Sequence, residues 1–103
     1  MQGKVPLGYA IDSNLTEIVK LLLDKGADVN VKLGPWEWTP LHWAAKRGYT
    51  DIAELMLTKG ADINAKNKYK WLFYEYGHTP LYYAIRKGHY ETAAFLRRHG
   101  GIE

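Results

Sequence analysis

Apolar residues recur three and four positions apart in two stretches of the chain, which is the spacing of one face of an α-helix. Ile18, Leu21 and Leu22 form the first stretch, and residues 52–56 repeat the pattern. A glycine follows each stretch a few residues later. Because glycine readily takes the left-handed conformation that ends helices, each stretch is predicted to be a helix that stops there.

A second set of short helices is predicted upstream of these. Thr39-Pro40 and Thr79-Pro80 each place a capping hydroxyl before a proline at the first helical position. Gly48 and Gly88 are predicted to end these helices. Asn14 is predicted to end the corresponding helix of the first segment, because asparagine tolerates the left-handed conformation best after glycine.

The helix pairs repeat along the chain. Prolines at 6, 40 and 80 lie 34 and 40 residues apart, which divides one 103-residue domain into repeats at about 5–38, 39–78 and 79–103. Neither helix of a pair can bury its apolar stripe alone, whereas stacked pairs bury both. The sequence therefore predicts an all-α solenoid of three helix–turn–helix units.

The second unit carries the most specific motif. Its residues are Thr39-Pro40-Leu41-His42-Trp43-Ala44-Ala45, then Gly48, then Gly60-Ala61-Asp62-Ile63-Asn64-Ala65. On these residues the chain resembles the ankyrin repeat family from about Val5 to Gly101. The resemblance implies helix pairs with projecting β-hairpin-like loops, and a protein–protein interaction module without catalytic activity. Val5, Gly8 and Tyr82 depart from the family pattern, which weakens local hydrogen bonding.

The two ends of the array differ. Thr92 replaces Ile18 and Ile52, and Arg97 replaces the leucines at 23 and 57. Both positions are predicted to face a following unit, so polar residues there indicate that the third unit is a C-terminal capping repeat. The first unit shows no such replacement. We expect either further upstream residues or coverage of that end by residues 1–4.

The connectors between units hold much of the aromatic content. Residues 32–38 and 66–78 carry seven of the 14 aromatic residues, and the second connector is a long insertion. Aromatic side chains dominate interface hot spots, so these connectors are predicted to bind a partner. Tyr69, Trp71 and Phe73 alternate as on one face of a hairpin strand. That face could instead pack on its own solenoid, and the two roles can coexist.

The charge pattern extends the candidate surface. The net charge is only +3, but the side that is concave in the ankyrin family collects an excess of lysine and arginine. This favours an acidic or phosphorylated segment of a protein or peptide partner; the alternative is a solvated fringe of lysines. The predicted partner-binding residues are Trp36, Trp38, Trp43, Lys46, Arg47, Tyr69, Trp71, Phe73, Tyr74, Tyr76, His78, Arg86 and Lys87.

The residues give little support for catalysis or for metal binding. His42 and His89 are assigned structural roles by the family resemblance, and no two histidines have the i, i+4 spacing of a helical metal site. No nucleophile–base set is evident, and an open solenoid offers no deep pocket. We therefore expect no catalysis, metal or cofactor. With no cysteine, no signal peptide and no apolar stretch of bilayer length, we expect a cytoplasmic protein without a membrane partner.

Three other interpretations remain open. Lysines at 66, 68 and 70 interleave with aromatic residues, a combination that single-strand nucleic-acid binders use, although the small net charge disfavours it. The aromatic connectors could also mediate self-association. Finally, the chain could be an engineered or truncated ankyrin scaffold with connectors remodelled for a chosen target.

Overall fold

The computed structural model describes residues 6–103, so the expectations for Val5 and residues 1–4 lie outside the described part. Within it, three helix pairs alternate with the connectors. The elements are α1 (Pro6–Asp12), α2 (Thr16–Asp24), α3 (Pro40–Arg47), α4 (Thr50–Thr58), β1 (Tyr69–Trp71), β2 (Tyr74–Tyr76), α5 (Pro80–Arg86) and α6 (Tyr90–Arg98). The fold is mainly α, as predicted, with one small β-hairpin. None of the helices across residues 6–103 is long and apolar enough to cross a membrane.

Local capping sets the helix boundaries. The Thr39 side chain accepts a hydrogen bond from the backbone N–H of His42, and Thr79 does the same for Tyr82. Asn14 and Gly48 end their helices with φ angles of 57° and 75°, both left-handed. These contacts confirm the caps and stops expected from the sequence, because each satisfies backbone groups that a short helix leaves unpaired.

The helix pairs stack in two layers. α3 packs between α1 and α5, while α4 packs between α2 and α6. The core runs continuously through both layers, so each unit is covered by its neighbours. Its fully buried side chains include those of Ile11, Val19, Leu41, Ile52, Met56, Leu81 and Leu96.

The interpretation of Thr92 as an outward-facing cap is wrong. Its side chain is 1% exposed, and its hydroxyl lies 2.6 Å from the Thr50 hydroxyl of the preceding unit. This helix position therefore faces backward along the array, which also leaves Ile18 44% exposed in the first unit. Arg97 does face solvent, and its guanidinium lies 3.6 Å from the Glu103 carboxylate. Of the two replacements, only Arg97 therefore makes the end of the array polar.

Asparagine side chains link successive units between the helix pairs. Asn30 accepts a hydrogen bond from the backbone N–H of Asp62 at 2.8 Å and donates to the Gly60 carbonyl at 3.3 Å. Asn64 repeats both contacts with Ile102 and Gly100. The long insertion lies beyond this ladder, so it lengthens the second repeat without changing how the units stack.

Candidate functional site

The first connector folds into a tight turn. The backbone N–H of Leu33 donates to the Trp38 carbonyl at 2.7 Å, and the Trp38 N–H donates back at 3.0 Å. Gly34 and Glu37 both have left-handed φ angles, of 75° and 54°. The turn leaves Trp36 about half exposed, while Trp38 is turned toward the helices and more buried.

The second connector is a β-hairpin with one aromatic face. Tyr69 pairs with Tyr76 and Trp71 pairs with Tyr74, so these four side chains share a face because opposite residues of a strand pair point the same way. Lys70 and Glu75 form the intervening pair on the other face.

The expected alternation of Tyr69, Trp71 and Phe73 along one strand is wrong for Phe73. β1 ends at Trp71, and Leu72 with Phe73 forms the two-residue turn. The side chain of Phe73 is 97% exposed as a result. Alternating residues predict a strand face only while the strand continues, and the sequence does not mark this turn with glycine, asparagine or proline.

Backbone hydrogen bonds fix the base of the hairpin. The Asn67 N–H donates to the His78 carbonyl at 3.1 Å, and the His78 N–H donates to the Asn67 side-chain oxygen at 2.8 Å. The Lys68 N–H donates to the Trp36 carbonyl at 2.8 Å, which ties the two connectors together. Gly77 passes so close to Asn67 that a Cβ there would lie 1.7 Å from the Asn67 carbonyl oxygen.

Replacing Gly77 by alanine should therefore open the hairpin base and leave the helices folded. The clash is with backbone, so neither side chain nor water can relieve it, and we expect a loss of about 1–3 kcal/mol in the free energy of unfolding. Amide hydrogen exchange should accelerate at Asn67 and His78 but not in α3 and α4. Unchanged exchange at those two amides would show that the base is not held as described.

Eight rings form one continuous surface, here called the aromatic wall. One end runs from Trp36 to Tyr69 to Tyr76, with centroid distances of 5.1 and 5.2 Å. His78 stacks on Tyr82 at 3.6 Å and lies 5.7 Å from Tyr76, which carries the row onto α5. The members of the aromatic wall are Trp36, Trp38, Trp43, Tyr69, Tyr76, His78, Tyr82 and Tyr83.

The wall continues across the stacked helices. Trp38 lies 4.4 Å from Tyr83 and 5.1 Å from Trp43, so it bridges α3 and α5. Tyr82 was noted in the sequence only as a departure from the family histidine. A tyrosine at this position was the signal that could have identified it as part of an aromatic surface.

Two cations lie over the wall without a carboxylate partner among residues 6–103. The Lys46 ammonium is 5.3 Å from the Trp38 ring and 5.1 Å from the Trp43 ring. The Arg86 guanidinium is 5.5 Å from the Tyr82 ring. Cation–π contacts hold these groups in place while leaving their charge available.

The other predicted cations are placed differently. Arg47 pairs with Asp12 at 2.6 Å, so part of its charge is already neutralised within the chain. Lys87 follows α5 and is exposed. Lys32 and Lys68 both approach Glu37, at 3.4 and 4.0 Å. The unpaired charge over the wall therefore comes from Lys46 and Arg86.

Two histidines have lowered pKa values: His42, which lies behind the wall, and His78, which belongs to it. Burial lowers the pKa of His42 to about 4, outweighing the hydrogen bond that its Nε2 makes with the His78 carbonyl at 2.7 Å. Its Nδ1 accepts from the Thr39 N–H at 3.1 Å, so the neutral ring donates through Nε2. Burial, followed by the charge of Arg86, lowers the pKa of His78 as well. In the neutral form, His42 makes these hydrogen bonds and His78 stacks on Tyr82.

The structure thus divides the sequence-predicted residues into three groups. The wall holds Trp36, Trp38, Trp43, Tyr69, Tyr76 and His78, with Lys46 and Arg86 over its rings. Lys87 directly follows α5 and is exposed. Trp71, Phe73 and Tyr74 project at the hairpin tip and touch no other ring among residues 6–103. Arg47 is held by Asp12. Packed and exposed rings thus coexist in the second connector, but they divide between the base and the tip of the hairpin and not between its two faces.

Nothing in residues 6–103 assembles into a metal site. No group of three or more histidine or acidic side chains in this part of the chain could hold an ion. The Asp28 and Asp62 carboxylates instead accept from the backbone N–H of Asn30 and Asn64, at 2.9 and 3.1 Å. Both therefore act as turn residues.

Comparison with known families agrees with this architecture. The profile of ankyrin repeats in three copies matches residues 7–103, which is most of the chain. The search of curated proteins returns no match. Ankyrin repeats are typically protein–protein interaction modules and generally non-catalytic, and no catalytic family was found. With three stacked helix pairs, the Thr-Pro caps and this match, the chain belongs to the ankyrin repeat family.

Proposed function

We propose that this protein binds an acidic segment of a partner protein along the aromatic wall. The observation that carries the proposal is the position of Lys46 and Arg86, each centred over wall rings and neither paired with a carboxylate in residues 6–103. In the ankyrin family this side of the stack is concave. A bound segment there meets rings from α3, α5 and both connectors at once.

The residue types of the wall suit a binding hot spot. Tryptophan, tyrosine and arginine are the side chains enriched where truncation weakens binding most. Their rings are already ordered by contacts of 3.6–5.2 Å with one another. Because little side-chain freedom is left to lose, a partner gains contact area at small entropic cost.

Charge favours a partner with carboxylate or phosphate groups. Lys46 and Arg86 occupy equivalent positions of successive units, since 40 residues separate both these residues and the prolines that begin their helices. Two acidic groups on one extended segment could therefore meet one cation each. Such pairs would be charge-assisted hydrogen bonds, which are stronger than hydrogen bonds between neutral groups.

Nucleic acid fits this arrangement less well than protein does. A single-strand site needs lysines and stacking rings on one surface. Lys70 lies on the face of the hairpin opposite the rings, and Lys68 approaches Glu37. The interleaving seen in the sequence is therefore separated onto two faces by the strand geometry.

Reversing both wall cations, in the double variant Lys46→Glu and Arg86→Glu, should weaken partner binding by about 100-fold or more, because two attractions become repulsions. Partners captured from extracts of the cells that express the protein would be identified by mass spectrometry. Each would then be purified and titrated against wild type and variant by calorimetry.

The matched control carries the same charge change elsewhere. Lys25→Glu with Arg98→Glu alters exposed residues of the outer helices and leaves the wall unchanged. Circular dichroism should give equal helicity for all three proteins. Full affinity in the wall variant, or an equal loss in the control, would rule out recognition through Lys46 and Arg86.

A further inference from the structure

The tip of the β-hairpin is the most exposed apolar part of the described chain. Phe73 is 97% exposed, Leu72 and Tyr74 are each 69% exposed, and Trp71 is 63% exposed. The rings of Trp71, Phe73 and Tyr74 stack on none of the wall rings. Contiguous exposed apolar residues of this kind mark a contact with a protein or a membrane.

The backbone at the tip is strained in a way that glycine would relieve. Leu72 has a φ angle of 53°, in the left-handed region where a side-chain-bearing residue is disfavoured. Two-residue hairpin turns normally place glycine, asparagine or aspartate at such a position. Leu72 is 69% exposed, so little burial of its side chain within the chain offsets this strain.

Polarity changes in layers away from the tip. Leu72 and Phe73 form the end, and Trp71 and Tyr74 form the next rung. Lys70 and Glu75 form the rung after that. Residues 66–78 carry three lysines and one glutamate, which gives a net charge of +2 with histidine neutral. Tryptophan and tyrosine prefer the bilayer interface, and lysine is attracted to anionic headgroups.

We propose that the hairpin tip is a membrane-interface anchor that inserts Leu72 and Phe73 below the headgroups of an anionic bilayer. Trp71 and Tyr74 lie at headgroup depth, and Lys70 on the next rung is the lysine nearest the anionic lipid. This goes beyond the proposed protein recognition and uses a different surface. No membrane partner was expected, because the sequence has no apolar stretch of bilayer length. A turn that enters only the interface needs no spanning segment.

The arrangement of the tip side chains favours lipid over a protein pocket. Trp71 and Tyr74 project from one face of the hairpin, while Leu72 and Phe73 occupy the turn itself. A protein pocket would need a separate matching surface for the turn residues and for the rings on the strand face. A fluid apolar layer surrounds them from every side and requires no matching cavity.

The anchor should bind weakly and reversibly. Two apolar side chains transfer less surface than a single acyl chain, which by itself gives only marginal attachment. Electrostatic attraction of the lysines adds to this only on anionic membranes and weakens with salt. The tip therefore concentrates the protein at a surface without fixing it there.

Vesicle sedimentation tests the proposal with the full chain. The vesicles contain phosphatidylcholine and phosphatidylserine at a ratio of about 3:1, in buffer at about physiological salt. We expect wild type to sediment with them, and to sediment more weakly with vesicles of phosphatidylcholine alone. Leu72→Gly and Phe73→Ala should each lower the partition coefficient about tenfold or more, because each removes one buried apolar side chain. Tyr90→Ala is the matched control, since Tyr90 is exposed at the start of α6.

Two further measurements separate lipid insertion from misfolding. Leu72→Gly removes the left-handed strain, so its thermal midpoint should equal or exceed that of wild type while its vesicle binding falls. Bromine-labelled acyl chains should quench part of the tryptophan emission of wild type, and Trp71→Phe should remove most of that quenching.

The proposal is overturned if wild type fails to sediment with either vesicle. It is also overturned if both tip variants bind vesicles as well as wild type, since the lysines alone would then explain attachment. Loss of a protein partner from the tip variants without any vesicle binding would assign the tip to a protein pocket instead. The tip variants leave Lys46 and Arg86 unchanged, so each of these results leaves the proposed recognition at the wall standing.

Discussion

Lowering the pH from 8 to 4.5 should reduce the free energy of unfolding by about 2.5 kcal/mol through His42 alone. Its pKa is about 4 in the folded chain, against 6.5 for an unburied histidine. Between these values the unfolded chain binds the proton and the folded chain does not, so stability is complete above about pH 6.5 and falls as the pH drops toward 4.

The physical reason lies in the contacts of the neutral ring. The His42 side chain is fully buried, and its Nδ1 already accepts from the Thr39 N–H, so a proton there would face another donor. Its Nε2 holds the His78 carbonyl at the base of the hairpin. Protonation therefore disturbs a helix cap and the anchoring of the second connector together.

Urea denaturation at a series of pH values measures the effect. The control is His42→Gln, which should be less stable at neutral pH but should lose most of the pH dependence between 6.5 and 4.5, leaving the part that His78 contributes through its own lowered pKa. The pKa of the Asp24 carboxyl is lowered by hydrogen bonds from Lys59 and Lys20, so its contribution is lost below that window, near and under 3.8. A wild-type profile that stays flat from pH 6.5 to 4.5 would contradict the buried neutral state of His42.

Replacing Gly48 by alanine should reduce the free energy of unfolding by about 3 kcal/mol. Gly48 ends α3 with a φ angle of 75°, which costs a residue with a Cβ about 1–2 kcal/mol. A Cβ at this position would also lie 2.5 Å from Nδ1 and 2.7 Å from Cγ of His89 in the next unit. The ring must move as a whole, and such overpacking typically costs about 1–3 kcal/mol.

Gly88 provides the matched control because it occupies the equivalent position of the third unit. Its φ angle is 77°, but no atom lies within 4 Å of the Cβ that alanine would add. Gly88→Ala should therefore reduce the free energy of unfolding only by the cost of placing alanine at a left-handed φ angle, about 1–2 kcal/mol. Urea denaturation of both variants gives the difference. Equal losses would mean that His89 moves aside freely and that the units approach each other less tightly here.

The repeat pattern predicted most of the helical scaffold. Threonine–proline pairs and the left-handed stops at Asn14 and Gly48 act within a few residues of each other, so their effect can be read locally. The same holds for Asp28 and Asp62 as turn residues, whose carboxylates bond two residues ahead. Because these interactions are local, distant parts of the chain have little effect on where the helices and turns begin and end.

The sequence does not predict whether a buried side chain faces the preceding or the following unit of the array. Thr92 was expected to point out of the array and instead bonds Thr50 of the preceding unit. A helical period identifies the buried stripe, but not which of the two neighbouring units covers each position within it. Only the observed stacking of α4 against α6 decides that.

The amino-acid sequence by itself determined that this chain is an array of three helix pairs with two aromatic-rich connectors, because capping, helical period and repeat spacing are all short-range. The tertiary structure alone decided how those aromatics divide. It gathers Trp36, Tyr69, His78 and Tyr82 into one wall and leaves Phe73 at the tip. That division depends on strand register and on contacts such as that of Lys68 with Trp36, which join residues far apart in sequence and so leave no periodic signal.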